Sequence, residues 1–322
     1  MLFFLKRLSF KRQRFDISTL WATGILFILH SLCTPFATAS YSIVATDSKT
    51  RQVGGAGGTC LANDIYGAFY LSAPGNSVLH TQGWLLPRDD EIIVTAVDMM
   101  NKGESPDKVL GAMKALDTGS ARFQVESETK SVPEVEIRQY AMADFSSTES
   151  YSGKSLNSVY EFLGFPDSEV ADVGNIDSND RYNFHAIGNL VKTGTVNSLQ
   201  NGFEDQNDEF GFGTCDIAGK LMTAMYRVVD GGFGDVRCLE GRSAAGAYIH
   251  VDNLDGTPYI HINEVDSDGN KEPVEVLKDE FLEWRKGNPC ESESSGGSRT
   301  HVPQLFKILS MFGIAPVLYF LF

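Results

Sequence analysis

The chain has 322 residues, of which 42% are hydrophobic and 21% charged, the proportions of a globular protein with a sizeable core and not of a disordered one. Acidic residues outnumber basic ones 42 to 27 over the whole chain, and 41 to 20 between residues 40 and 298. A body that acidic repels phosphate backbones, which excludes nucleic acid as a partner.

The first 39 residues have the layout of a secretory signal. Lys6, Arg7, Lys11, Arg12 and Arg14 form a basic start, the apolar run Leu20 to Leu32 follows, and Ala37-Thr38-Ala39 supplies the small residues that signal peptidase needs. The cut falls between Ala39 and Ser40. An uncleaved anchor is the alternative, but a run of 13 residues interrupted by His30 is short for a membrane span, which needs roughly 20.

The body, residues 40–287, opens with a β-branched strand, Ser40 to Thr46, and a polar turn over Asp47 to Arg51. A strand of small residues is expected from Val53 to Ala62, and its glycines mean that a ligand or another part of the fold approaches closely. Further strands are predicted at Gly67–Ser72 and Asn76–Gln82. Pro87 to Asn101 carries Ile92, Ile93, Ala96, Val97 and Met100 at helical spacing, and Ser105-Pro106 starts a second helix through Leu116. An irregular patch precedes a strand from Val135 to Phe145. The Ser-, Asp- and Asn-rich stretch Ser146–Arg181 reads as a long loop with a short helical piece. A strand at Asn183–Asn189, helices at Thr193–Asp205 and Thr214–Val229, strands at Ser243–Val251 and Thr257–Asn263, and a helix from Pro273 to Lys286 complete the body. Sheets that pack on each other with helices outside, an α+β arrangement, are the expectation.

Beyond the body, residues 288–304 form a polar linker and residues 305–322 a hydrophobic tail. The small polar run Glu291 to Ser298 and the apolar stretch Ile308 to Phe322 match a glycosylphosphatidylinositol attachment signal near Ser294, Ser295 or Gly296, with a membrane-spanning tail as the alternative. Cell-surface anchoring after passage through the secretory pathway follows. Cys60, Cys215, Cys238 and Cys290 would then meet an oxidising compartment, and their three possible pairings stay open.

Motifs for metal, nucleotide or cofactor chemistry are missing, so no cofactor or metal is expected. Asp177-Ser178-Asn179-Asp180 and Asp266-Ser267-Asp268-Gly269 depart from the calcium-loop pattern and read as polar turns. Gly241 to Ala245 departs from the nucleophile-elbow pattern and reads as a strand start. The distinctive position is Ser40. Cleavage after Ala39 would give it a free α-amine, which titrates at about 8 and can act as the base for its own hydroxyl. The plain alternative is a small residue that follows a signal cut.

Six segments carry a resemblance: Ser40-Tyr41-Ser42-Ile43-Val44-Ala45, Gly57-Gly58-Thr59-Cys60, Thr81-Gln82, Arg138-Gln139-Tyr140 with Asp144, Gly188-Asn189-Leu190 with Gly194, and Gly234-Asp235-Val236-Arg237-Cys238 followed by Ser243-Ala244. In this order the chain resembles the domain of unknown function 1028 family, in its secreted subgroup, itself similar in fold to N-terminal-nucleophile hydrolases. Ala141 and Ile187 replace the family's usual glycine and glutamine. The resemblance implies a four-layer αββα sandwich, Ser40 as nucleophile, and Thr81, Gln82, Arg138, Gln139, Asn189, Asp235 and Arg242 as candidates to bind a small-molecule or cell-wall-derived substrate. Structural roles compete: Asp235 as a buried pair with Arg237 or Arg242, and Asn189 as a helix cap. Two functions remain, an amide- or ester-cleaving enzyme and a non-catalytic surface scaffold of the same fold.

Overall fold

A computed structural model describes residues 37–38, 40–61, 64–176, 181–266 and 271–290. The basic start, the apolar run, Ala39, residues 62–63, 177–180 and 267–270, the linker beyond Cys290 and the hydrophobic tail lie outside the described residues. Those described belong to one unit that ends at Cys290.

Two antiparallel sheets dominate. Strands β1 (Ala37–Thr38), β2 (Ser40–Asp47), β3 (Gln52–Thr59), β4 (Tyr70–Ala73) and β5 (Ser77–Trp84) supply the first half, with the short helix α1 (Ile65–Phe69) between β3 and β4. Helices α2 (Glu91–Asn101) and α3 (Pro106–Leu116), the hairpin β6 (Ser120–Val125) and β7 (Glu128–Pro133), and strands β8 (Arg138–Asp144) and β9 (Thr148–Ser152) follow. The rest is α4 (Leu156–Phe162), β10 (Glu169–Ile176), β11 (Tyr182–Val191), α5 (Thr195–Glu204), α6 (Ile217–Asp230), β12 (Gly246–Asp252), β13 (Pro258–Val265) and α7 (Pro273–Gly287). The larger sheet runs β10-β11-β2-β3-β12-β13. The smaller one runs β1-β5-β8-β9, with β4 also paired to β5.

Alternation along the strands decides what each face meets. In β2, Tyr41, Ile43 and Ala45 face α5, α6 and α7, while Val44 meets Val78, Ala141 and Ala143 of the other sheet. Leu79, Tyr140 and Met142 of the smaller sheet turn the other way, onto Ile93, Met100, Val109 and Met113 of α2 and α3. Burial of apolar surface on both faces of both sheets holds the fold together. Asp90 and Asp216 cap α2 and α6 by accepting from Ile92 N and Gly219 N, and prolines open α3 and α7.

Gly55 shows why β3 is built of small residues. A Cβ there would lie 2.4 Å from His80 Nε2, so the imidazole of one sheet occupies the space above a glycine of the other. Close packing between sheets accounts for that position.

Four segments differ from expectation, one of them Val135 to Ile137, which belong to a 3-10 turn so that the expected strand starts at Arg138. Residues 65–69 are a helical turn, capped by Asp64 through Gly67 N, and only Tyr70 to Ala73 is strand. The patch after Leu116 is a hairpin in which Ala121 and Phe123 alternate inward, a period-2 signal. The stretch read as one loop holds β9, α4 and β10, with β9 and β10 at the edges of their sheets. Edge strands expose half their residues and so lack the apolar runs that mark interior strands.

Disulfides join Cys60 to Cys238 and Cys215 to Cys290, with Cα separations of 5.3 and 5.7 Å. Among the described residues no helix is long and apolar enough to cross a membrane.

Candidate functional site

Ser40 heads β2 and pairs in register with Asn189 of β11. Its side chain falls on the face that carries Ser42 and Val44, toward the smaller sheet. It is wholly buried, and its Oγ has no hydrogen-bond partner among the described residues. A buried hydroxyl without a partner costs about 1–3 kcal/mol, so such an atom calls for an explanation.

Its surroundings are otherwise well satisfied. Ser42 Oγ donates to Gln82 Oε1 at 3.0 Å, and Gln82 Nε2 donates to Gln139 Oε1 at 2.6 Å and to the Ser40 carbonyl at 3.4 Å. Gln139 Oε1 also accepts from Asn189 Nδ2 at 3.1 Å, and Asn189 Oδ1 accepts from Tyr160 OH at 2.8 Å. The amide nitrogen of Gln139 is shared among Ser152 Oγ and the carbonyls of Ala171 and Gly188, at 3.0 to 3.2 Å. Three buried amides thus bridge the two sheets beside Ser40. Because each amide both donates and accepts, the set fixes the orientation of Asn189 without any charged group.

The other candidates fall around this cluster in different ways. Thr81 and Arg138 lie on the opposite face of the smaller sheet. Arg138 is buried there and held by Asp117 and Glu134, each at 2.7 Å, and it donates to the carbonyl of Trp84. Asp235 is fully buried and accepts from Cys60 N at 2.8 Å and from Arg237 Nε and Nη2 at 3.1 and 2.8 Å. It therefore ties the loop that carries Cys238 to the end of β3. The sequence pairing of Asp235 with an arginine is met by Arg237. Arg242 sits in a separate ion pair with Asp266 at 3.1 Å. Asn189 lies within β11 and caps no helix. Among the candidates, Ser40, Gln82, Gln139 and Asn189 come together.

Tyr160, Ser42 and Ser152 belong to the same cluster and were not singled out from sequence. Tyr160 is buried, and burial pushes its phenol well above the ordinary range, so it stays a neutral donor to Asn189. Its signal was the spacing of Leu156, Val159 and Tyr160, which marks one face of a helix.

A second polar cluster sits between the sheets. His80 is wholly buried, bonds Tyr248 OH through Nε2 at 2.6 Å, and has no partner at Nδ1 among the described residues; burial lowers its pKa to about 3. His250 Nε2 meets Asp252 Oδ1 at 2.8 Å, and His250 Nδ1 lies 3.0 Å from His261 Nδ1. Asp252 Oδ2 accepts from Tyr70 OH and Ser72 Oγ at 2.9 and 2.7 Å. Cys215, Asp216 and Cys290 also come close together, but both sulfurs are engaged in the disulfide.

No family model and no curated protein matches the chain. Among solved structures it is similar to protein SPO2555 from Silicibacter pomeroyi, a protein of the domain of unknown function 1028 family. The TM-score is 0.53 and the identity 14%, over 77% of this chain and 89% of that one. The fold is that of a domain of unknown function 1028 protein. At this identity the likeness concerns the backbone arrangement, and the chemistry of the site rests on this chain's own residues.

Proposed function

We propose that this chain is a secreted, surface-anchored hydrolase of the N-terminal-nucleophile type, an αββα sandwich in which Ser40 attacks an amide or ester carbonyl. The observation that carries the reading is Ser40 Oγ. It is a buried hydroxyl with no partner among the described residues, at the head of a central strand and beside a set of amides that is otherwise satisfied.

Removal of residues 1–39 gives Ser40 a free α-amine. The neutral amine takes the hydroxyl proton, directly or through one water, and Oγ forms a bond to the carbonyl carbon. As the tetrahedral intermediate collapses, the carbon–nitrogen or carbon–oxygen bond breaks and the proton passes to the leaving group. Water then releases the acyl group. Asn189 is the side-chain candidate for the oxyanion, since it stands opposite Ser40 and one of its two N–H bonds is already fixed on Gln139. A positioned donor of this kind is worth about 2.7–4 kcal/mol to the transition state. Gln82 and Gln139 hold that geometry. Lipid attachment near Ser294–Gly296 would keep the enzyme at the cell surface.

The test uses protein released from cells by a phosphatidylinositol-specific phospholipase, sequenced from its N-terminus and treated with an electrophilic acyl probe. A mature chain that begins at Ser40 and takes one acyl group there is the expected result, with labelling abolished and thermal stability nearly unchanged in Ser40→Ala. A chain that starts elsewhere, or labelling that survives the substitution, overturns the mechanism. Retention in the membrane after phospholipase removes the lipid anchor. A wild-type protein that no probe labels points to the scaffold function instead.

A further inference from the structure

The short strand β1 lies along the smaller sheet just ahead of Ser40. Ala37 pairs with Trp84 and Thr38 with Gly83, antiparallel, along the C-terminal end of β5. Farther back on this edge, β4 already covers Ser77 to His80. These two leader residues therefore take the part of the edge that adjoins Ser40, and they belong to the segment whose removal would create the catalytic amine.

Gly83 and Trp84 are shaped for this role. Gly83 has a φ of +87°, and a Cβ on it would lie 2.5 Å from the carbonyl of Ile137, so only glycine fits without strain. The Trp84 carbonyl is held from behind by Arg138, which is itself clamped by Asp117. Trp84, Phe123, Ile137 and Tyr160 close up beside the edge and leave a gap of only about 10 Å³, no larger than a water. Tyr160 links this wall to Asn189 through its hydroxyl.

We propose that the Gly83–Trp84 edge is the subsite for the acyl-side main chain of an extended peptide, which adds to the sheet as β1 does before processing. The proposal rests on the Ser40 reading and names the substrate class: a peptidyl group whose scissile carbonyl follows the strand-adding residues, as Ala39 follows Thr38. Removing the leader vacates the edge and frees the amine in one cut. Strand addition supplies main-chain hydrogen bonds that any extended peptide can make. In the reaction the peptide carbonyl carbon gains a bond to Ser40 Oγ and loses its bond to the leaving amine, which receives the serine proton. Hydrolysis of the ester restores the hydroxyl and yields a peptide carboxylate.

The experiment compares three p-nitrophenyl esters on the mature chain: acetate, acetyl-Ala-Thr-Ala, and that tripeptide with the backbone N–H of its first alanine and of its threonine replaced by oxygen. Acylation of Ser40 is followed by mass spectrometry and release of p-nitrophenol. The tripeptide should acylate Ser40 about tenfold faster than acetate or more, in line with two net main-chain hydrogen bonds from the one residue that faces β5, and the oxygen-substituted form, which lacks that residue's N–H, should lose about threefold or more of the gain. If all three acylate Ser40 at similar rates, the nucleophile stands and the peptide subsite falls. If the oxygen-substituted tripeptide keeps the full gain, the side chains and not the strand edge provide recognition, which also overturns the proposal. If none acylates Ser40, the nucleophile falls and the subsite with it.

Discussion

Two polar clusters lie between the same two sheets, and they solve burial in different ways. Around Ser40 the participants are serine, glutamine, asparagine and tyrosine, and every link is a bond between neutral groups. Around His80 they are three imidazoles, a carboxylate and several phenols. Neutral amides keep their hydrogen bonds across a wide pH range, whereas a buried imidazole trades stability for any proton it accepts. The contrast bears on mechanism. Among the described residues a serine surrounded by amides finds no side-chain base in its own cluster, so under the proposed mechanism its α-amine would be the group to take the proton. The imidazoles instead lie in the cluster that carries pH sensitivity.

The comparison can be broken most forcefully at the disulfide beside the amide cluster. Cys60 follows β3 directly, and its bond to Cys238 closes a loop across 178 residues, reinforced by Asp235. Replacing both cysteines by serine should cost about 2–5 kcal/mol, read as a lowered denaturation midpoint. A loss below about 0.5 kcal/mol would show that Asp235 and its arginine hold this end unaided.

Next in size is the amide hub. Gln139→Leu removes the acceptor for Gln82 and Asn189 and the donor for Gly188, leaving polar groups stranded in a dry interior. We expect a loss of about 3 kcal/mol, since each unsatisfied buried group costs about 1–3 kcal/mol. Acylation of Ser40 should fall as well at temperatures where the variant is still folded, because Asn189 loses its orientation. Unchanged acylation by a folded Gln139→Leu protein would reduce the hub to a structural tie.

How much of this could be read from the chain depends on where each residue sits. Interior strands such as β2 and β11 announce themselves through β-branched and aromatic runs, and α2 through its apolar spacing. The edge strands β9 and β10 do not, because backbone pairing and not apolar burial places them. The same gap hid part of the site. Tyr160 lies in the stretch read as loop, whereas Gln139 and Asn189 lay in segments that resembled a family. Gln139 and Arg138 show a second limit. They are neighbours in sequence, but strand alternation sends one between the sheets and the other to the helix side, and only the choice of sheet face separates a site residue from a structural ion pair. Pairings across long separations, such as Cys60 with Cys238, require the folded chain.

The smallest effect tests the histidine cluster, and its sign can be worked out. Burial lowers the His80 pKa to about 3, against about 6.5 when the chain is unfolded. Above pH 6.5 both states are neutral at this position, and His80 adds no pH dependence. As pH falls from about 6.5 toward 3 the unfolded chain binds a proton that the folded one refuses, so stability declines by roughly 1 kcal/mol per pH unit. Two neighbours in the cluster, His261 and Asp252, are also shifted and contribute to the wild-type slope, so that slope alone assigns nothing to His80. The difference between wild type and His80→Gln isolates it, since glutamine keeps a polar group that can reach Tyr248 and has no proton to gain. Chemical denaturation at about pH 7 and pH 5 should show a wild-type loss that exceeds the variant's by roughly 2 kcal/mol. Equal losses would mean that His80 takes up its proton in the folded protein, with the space above Gly55 open enough to hydrate the charge.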